Sequence, residues 1–128
     1  MRIDLEEKFI KDFINDFYQE RLLYEFKSPK KRINAILRFS HNTDELIKKE
    51  YIFLKLKRFD EKEIVSFLQG EDSYVISFDY VDGISMNINE ILNYLYDEYS
   101  PVIVCGTNFA IVKKEFEKGS DNFYLLKK

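Results

Sequence analysis

Residues 101–126, PVIVCGTNFAIVKKEFEKGSDNFYLL, decide the fold. Pro101 to Cys105 is a short, continuous apolar run, and Gly106-Thr107-Asn108 reads as a turn. Phe109 to Phe116 is a second run. Glu117 to Asp121 contains Gly119 and turns again, and Asn122 to Leu126 closes the series. Apolar runs of this length bounded by turn residues predict strands, and the short connections make them an antiparallel meander. Upstream, Ser73 to Asp79 has the β-branched and aromatic content of a further strand, ending at the turn Val81-Asp82-Gly83. Between these strands, Asn87 or Asn89 starts a helix with Ile91, Leu92, Leu95 and Tyr99 inside, and Pro101 follows its end as a breaker.

The first half has helical periodicity instead. Leu5, Phe9, Phe13 and Phe17 recur every four residues, with Ile10 and Ile14 widening the stripe. They predict one long amphipathic helix from Asp4 to Phe26, capped by Asp4 with Glu7 at the box position. Leu22, Leu23 and Phe26 continue the buried face, and the whole aromatic stripe, Phe17 included, is read as core. Ser28-Pro29 predicts a second helix from Pro29 to about Phe39, because Ser is a favoured N-cap and Pro a favoured first residue. Its apolar face is Ile33, Ile36 and Leu37, with Ala35 small enough for close packing.

Ser40 to Asp44 is polar and reads as a loop, with Thr43 capping a short turn. In Tyr51 to Arg58, Ile52, Leu54 and Leu56 alternate with Phe53, Lys55 and Lys57, which reads as a short strand or extended segment, with a helix continuing from Thr43 as the alternative. Asp60 to Gln69 is a short helix capped by Asp60 and Glu63, with Ile64, Phe67 and Leu68 inside and Gly70 at its end. The expectation is one α+β domain over residues 1–128, with N-terminal helices packed on a C-terminal, mainly antiparallel sheet of three to five strands.

Composition bounds the chemistry. The 128 residues are 45% hydrophobic and 34% charged, enough apolar material for the core of one domain. The net charge of −3 argues against a protein that works mainly by gripping phosphates, although a local basic patch is compatible with it. One cysteine and one histidine exclude an internal disulfide and the common zinc frameworks, so no metal or cofactor is expected. The charged N-terminus lacks an apolar signal core, and no apolar run approaches the roughly 20 residues of a membrane span. These point to the cytoplasm and to no membrane partner. Abundant Lys, Ile, Asn, Phe and Tyr fit a low-GC bacterial genome.

Signatures of catalysis are missing. The four glycines lie far apart at predicted turns and form no phosphate loop, and no Gly-x-Ser-x-Gly elbow occurs. One basic stretch stands out, and it supplies the candidate binding residues Lys30, Lys31, Arg32, Arg38, His41 and Asn42. Lys31 and Arg38 are seven residues apart and share a helix face. His41 and Asn42 fall just past the helix end, where a cationic imidazole would favour the helix dipole. The plainer reading is a solvated face with a capping His. The sharper one is an anion site on Arg38 and His41.

Cys105 reads as a buried core residue, a nucleophilic role requiring an electropositive setting. Asp72, Asp79 and Asp82 lack the ligand pattern of a calcium loop and read as solvated strand ends and turn residues. Tyr96 lies off its helix's apolar stripe and reads as exposed.

The runs Glu20-Arg21-Leu22-Leu23, Ser28-Pro29-Lys30-Lys31-Arg32 and Arg38-Phe39-Ser40-His41-Asn42, with the Val75-Ile76-Ser77 strand, the helix after it and the terminal meander, resemble small bacterial proteins of unknown function. That resemblance implies no catalytic residues. Small size, mild acidity and the lack of a recognisable active site also resemble bacterial immunity or antitoxin-type proteins, which work by blocking a partner's surface. The expected function is a non-catalytic interaction domain whose partner is another protein. An anion, nucleotide or RNA binding module on the Lys30–His41 segment is the alternative, and a small enzyme using His41 or Cys105 is the second.

Overall fold

The meander forms as expected. In the computed structural model, which describes residues 2–97 and 100–128, Val102–Cys105 (β4), Phe109–Lys113 (β5) and Phe123–Lys127 (β6) pair antiparallel in succession. The inward placement expected of Tyr99 falls outside the described residues. Gly106 opens the β4–β5 turn for a steric reason. A Cβ there would lie 2.3 Å from the Phe109 ring, so the turn closes only around a residue without one.

Three further strands extend the sheet, giving the order β1-β6-β5-β4-β2-β3, all antiparallel. Ile52–Leu56 (β1) settles the ambiguous Tyr51–Arg58 segment as a strand, and Ser73–Ser77 is β2. The sixth strand, Ser85–Met86 (β3), exceeds the three to five expected; two residues are too few to write a period into the sequence.

Both faces of the sheet are covered, which explains why its central strands are continuously apolar rather than alternating. One face carries Tyr74, Ile76, Ile103, Cys105, Ala110, Val112, Tyr124 and Leu126 against the N-terminal helices. The other carries Val75, Val102, Val104, Phe109, Ile111, Phe123 and Leu125 against two helices from the second half, Glu61–Leu68 (α5) and Ile88–Tyr96 (α6). Asp60 caps α5 by accepting from the Glu63 N–H. Asn87 and Glu90 form a reciprocal capping box on α6, choosing between the two asparagines the sequence offered.

The N-terminal helical region differs most from expectation. The single helix over Asp4–Phe26 is two helices, Ile3–Phe13 (α1) and Asp16–Lys27 (α2), broken at Ile14. Ile14 is extended and bridges to Ile47, while Asn15 N–H donates to Leu46 O and Lys48 N–H to Phe13 O. The Asn15 side chain adds bonds to Glu45 O (2.9 Å) and Ile47 O (3.2 Å). These tertiary bonds replace helical ones, so local propensity loses to a joint made across 30 residues of sequence. The break also resets the helical phase. Phe9, Ile10 and Phe13 stay buried, but Phe17 emerges 85% exposed instead of joining the core. Asp4 pairs with Arg2 rather than capping the helix.

The next helix, Arg32–His41 (α3), starts three residues later than Pro29, and the Ser28 side chain does not cap it. Ser28 instead contributes its carbonyl, which accepts from the Lys31 and Arg32 N–H groups to close a turn. The buried face of α3 is Arg32, Ala35, Ile36, Phe39 and Ser40; Ile33, expected inside, is half exposed. The helix runs on through His41 into the stretch Ser40 to Asp44 expected as a loop, and the short turn expected after it is Thr43–Leu46 (α4), of which Thr43 is the first residue and not the cap. Thr43 is fully buried and donates its hydroxyl to Phe39 O and Ser40 O. Among the described residues, no helix is long and apolar enough to cross a membrane.

Candidate functional site

The six residues of the basic stretch do not converge. They are divided among four environments, and hydrogen-bond accounting separates them.

Arg32 is buried. It lies between Glu6 of α1 and Asp82 of the β2–β3 turn, and every one of its five N–H donors is used. Nη1 donates to Glu6 Oε1 (2.6 Å) and Phe26 O (2.8 Å), Nη2 to Glu6 Oε2 (2.9 Å) and Asp82 Oδ1 (2.9 Å), and Nε to Asp82 Oδ2 (2.7 Å). Tyr74 also donates to Glu6 Oε2 at 2.5 Å, and the Ser77 N–H donates to Asp82 Oδ1. Burial works against the Arg32 charge, but the bonds to Asp82 and Glu6 outweigh it and raise the guanidinium above its ordinary range. Burial and the Glu6 carboxylate likewise raise Tyr74, keeping it a donor. Asp82 is therefore part of a buried lock, not the solvated turn residue expected. Asp79 is similarly engaged, accepting from Tyr94 (2.5 Å), Ser77 Oγ and the Val81 N–H, whereas Asp72 is exposed as expected.

Arg38 is in the opposite position. It lines a cleft of about 210 Å³ between α2 and the α3–α4 corner, with Tyr18, Arg21, Leu22, Glu25, Asn42, Glu45 and Leu46. Its Nη2 donates to Glu25 Oε1 on α2, and among the described residues its remaining donors are unengaged. Arg21 Nε approaches the same Glu25 oxygen at 3.5 Å, so two guanidinium groups share one carboxylate oxygen. Tyr18 donates to Glu45 Oε1 at 2.7 Å across the cleft, and that carboxylate raises the phenol's pKa. Leu22 and Leu46, both buried, add apolar surface. Asn42 contributes structurally, donating from Nδ2 to Arg38 O at 2.9 Å.

The other candidates lie elsewhere. Lys30 is exposed, and Lys31 sits 5.0 Å over the Tyr24 ring on the outer side of α2. His41 is the last residue of α3 and faces Glu115 at 3.7 Å in a separate cleft, with both side chains largely exposed. Cys105 is completely buried, and burial pushes its thiol up to about 12, the reverse of what a nucleophile needs. Among the described residues, no cluster of three or more His, Cys, Asp or Glu side chains could hold a metal.

The structure also presents an exposed helix face that the sequence does not announce, and it includes Phe17, expected in the core. The exposed stripe of α2 runs Phe17, Arg21, Tyr24, a spacing of four and three residues that keeps them on one face. Phe17 is 85% and Tyr24 62% exposed, and the Phe17 ring packs edge-on to Tyr18 at the cleft. The overlooked signal was Asn15-Asp16, two residues favoured at helix starts, lying in the middle of an apparently continuous helix. No family model, curated protein or solved structure matches the chain.

Proposed function

We propose that the protein is a non-catalytic interaction domain of the bacterial cytoplasm. It acts by docking the outer face of α2 and the adjoining cleft onto another protein, in the manner of an immunity- or antitoxin-type inhibitor. The observation that carries the reading is the stripe Phe17–Arg21–Tyr24, two large exposed aromatics and an arginine on one helix face. Tyr, Phe and Arg are enriched in interface cores, and exposing a Phe to this extent costs solvation that a partner would recover.

The anion, nucleotide or RNA alternative finds only Arg38 and Asn42 of its six residues in one cleft, because the donors of Arg32 are spent inside the fold, His41 lies in another cleft, and Lys30 and Lys31 do not line the cleft. An enzyme built on Cys105 is opposed by the burial of its thiol.

The test is capture from a lysate of the source organism, with wild-type protein compared with the Phe17→Ala/Tyr24→Ala variant. A partner recovered by the wild type and lost by at least about tenfold in the variant is expected. No specific partner, or equal recovery by both proteins, overturns the reading.

A further inference from the structure

We propose that the α2–α3 cleft recognises an acidic side chain flanked by an apolar one on the protein partner, with Arg38 and Arg21 as the carboxylate clamp. The inference rests on the interaction reading above and specifies the chemistry that the cleft selects.

Arg38 projects from α3 with one nitrogen on Glu25 and its other donors directed at no described residue, while its side chain stays 39% exposed. Arg21 reaches the same Glu25 oxygen from α2 and is 70% exposed. Glu25 itself is largely buried, so it fixes the two guanidinium groups in place without saturating them. Two cations share one Glu25 oxygen, and the other carboxylate lining the cleft, Glu45, is bonded to Tyr18, so guanidinium donors are in excess around Glu25. A planar guanidinium with free donors suits an incoming carboxylate, which it grips at two oxygens. At the other end Glu45 is already held by Tyr18, and a second anion there would be repelled.

The apolar neighbour follows from Leu22 and Leu46, which line the same cleft. Phe17, against Tyr18, continues that surface outward. A bare phosphate would satisfy the guanidinium groups and leave this surface unused. A nucleic-acid backbone would carry further phosphates past Glu20 and Glu45, both exposed, in a chain that is already net negative. An acidic residue beside Leu, Ile or Phe on a protein matches both halves of the cleft.

The probe is a random peptide library displayed on phage and selected on the immobilised full chain. A synthetic peptide of the enriched sequence is then titrated by fluorescence anisotropy. The expected peptides carry Asp or Glu next to an aliphatic or aromatic residue. Binding should weaken by about tenfold or more in Arg38→Ala and in Arg38→Gln, and equally when the peptide's acid becomes its amide. It should also weaken as salt rises. No enrichment, a motif without an acid, or affinities within about twofold of wild type in both Arg38 variants would overturn the proposal. So would a peptide that inorganic phosphate displaces and whose apolar residue can be replaced by Gly without loss, since the cleft would then be a simple anion site. Binding that depends on Phe17 and Tyr24 but is indifferent to Arg38 would end this proposal while leaving the interaction reading standing. Loss of binding in neither the α2 nor the Arg38 variants would remove both. Circular dichroism of each variant confirms that the fold is retained, and the amide form of the peptide tests the clamp with unaltered protein.

Discussion

Arg32 and Arg38 lie on the same helix, in the same basic stretch, and do opposite work. Arg32 is taken out of water and spends all five donors on two carboxylates and a carbonyl. Arg38 keeps part of its surface wet and most of its donors free. Charge alone does not distinguish a structural arginine from a recognition arginine; the count of satisfied donors does. A buried cation that lacked partners would cost several kcal/mol, so burial and saturation arrive together. A residue meant to bind an outside group must be left incomplete.

That contrast is open to measurement. Arg32→Met removes one charge and strands two carboxylates in or near the core, so it should destabilise the fold by about 3–5 kcal/mol in urea unfolding. Arg32→Lys should not restore the loss, since an ammonium offers three donors where five are used. A cost below about 1 kcal/mol for Arg32→Met would break the distinction.

Asp12 provides an intermediate case, a buried carboxylate held by two partly exposed lysines, Lys8 at 2.7 Å and Lys128 at 3.1 Å. Burial pushes its pKa up, but the two lysines outweigh this and hold the carboxyl below the ordinary range. A depressed acid contributes stability above its unfolded pKa of about 4, and that contribution is lost as pH falls through the lower folded value. Asp12→Asn should therefore lower Tm at pH 7, and the gap to wild type should narrow steadily as pH falls below about 4. A gap that does not narrow with acid would mean that ionisation is not the source.

Arg38→Ala should cost only about 1 kcal/mol, because Arg21 remains beside the buried Glu25 and Arg38 is itself partly exposed. Smallest of all, Phe17→Ala should change stability by no more than about 0.5 kcal/mol, as expected of an exposed side chain. Phe13→Ala, four residues earlier and buried, should cost about 3–5 kcal/mol. Similar losses at the two phenylalanines would mean that Phe17 is core after all.

The sheet was readable because its signals are local. Continuous apolar runs, turn residues and the caps at Asp60 and Asn87 each act within a few positions, and the structure keeps each of these elements, with the strand expected over Phe109 to Phe116 ending at Lys113. The broken N-terminal helix was not readable, since the bonds that break it come from Glu45, Leu46 and Ile47, about 30 residues away. The same limit applies to the site. Arg38 and Asn42 could be nominated from composition. That Arg32 would be consumed by Glu6 and Asp82, and that Arg21 would join Arg38, depends on contacts between elements that a linear pattern does not encode.

The joint at Asn15 has a consequence for how the cleft is tuned. Its backbone and side chain hold the start of α2 to Glu45, Leu46 and Ile47, and Glu45 and Leu46 are themselves part of the opposite wall. The two walls of the cleft are thus tied together by a hinge pin that is not itself among the lining residues. A substitution at Asn15 would reset the spacing of the walls while leaving every side chain on them unchanged.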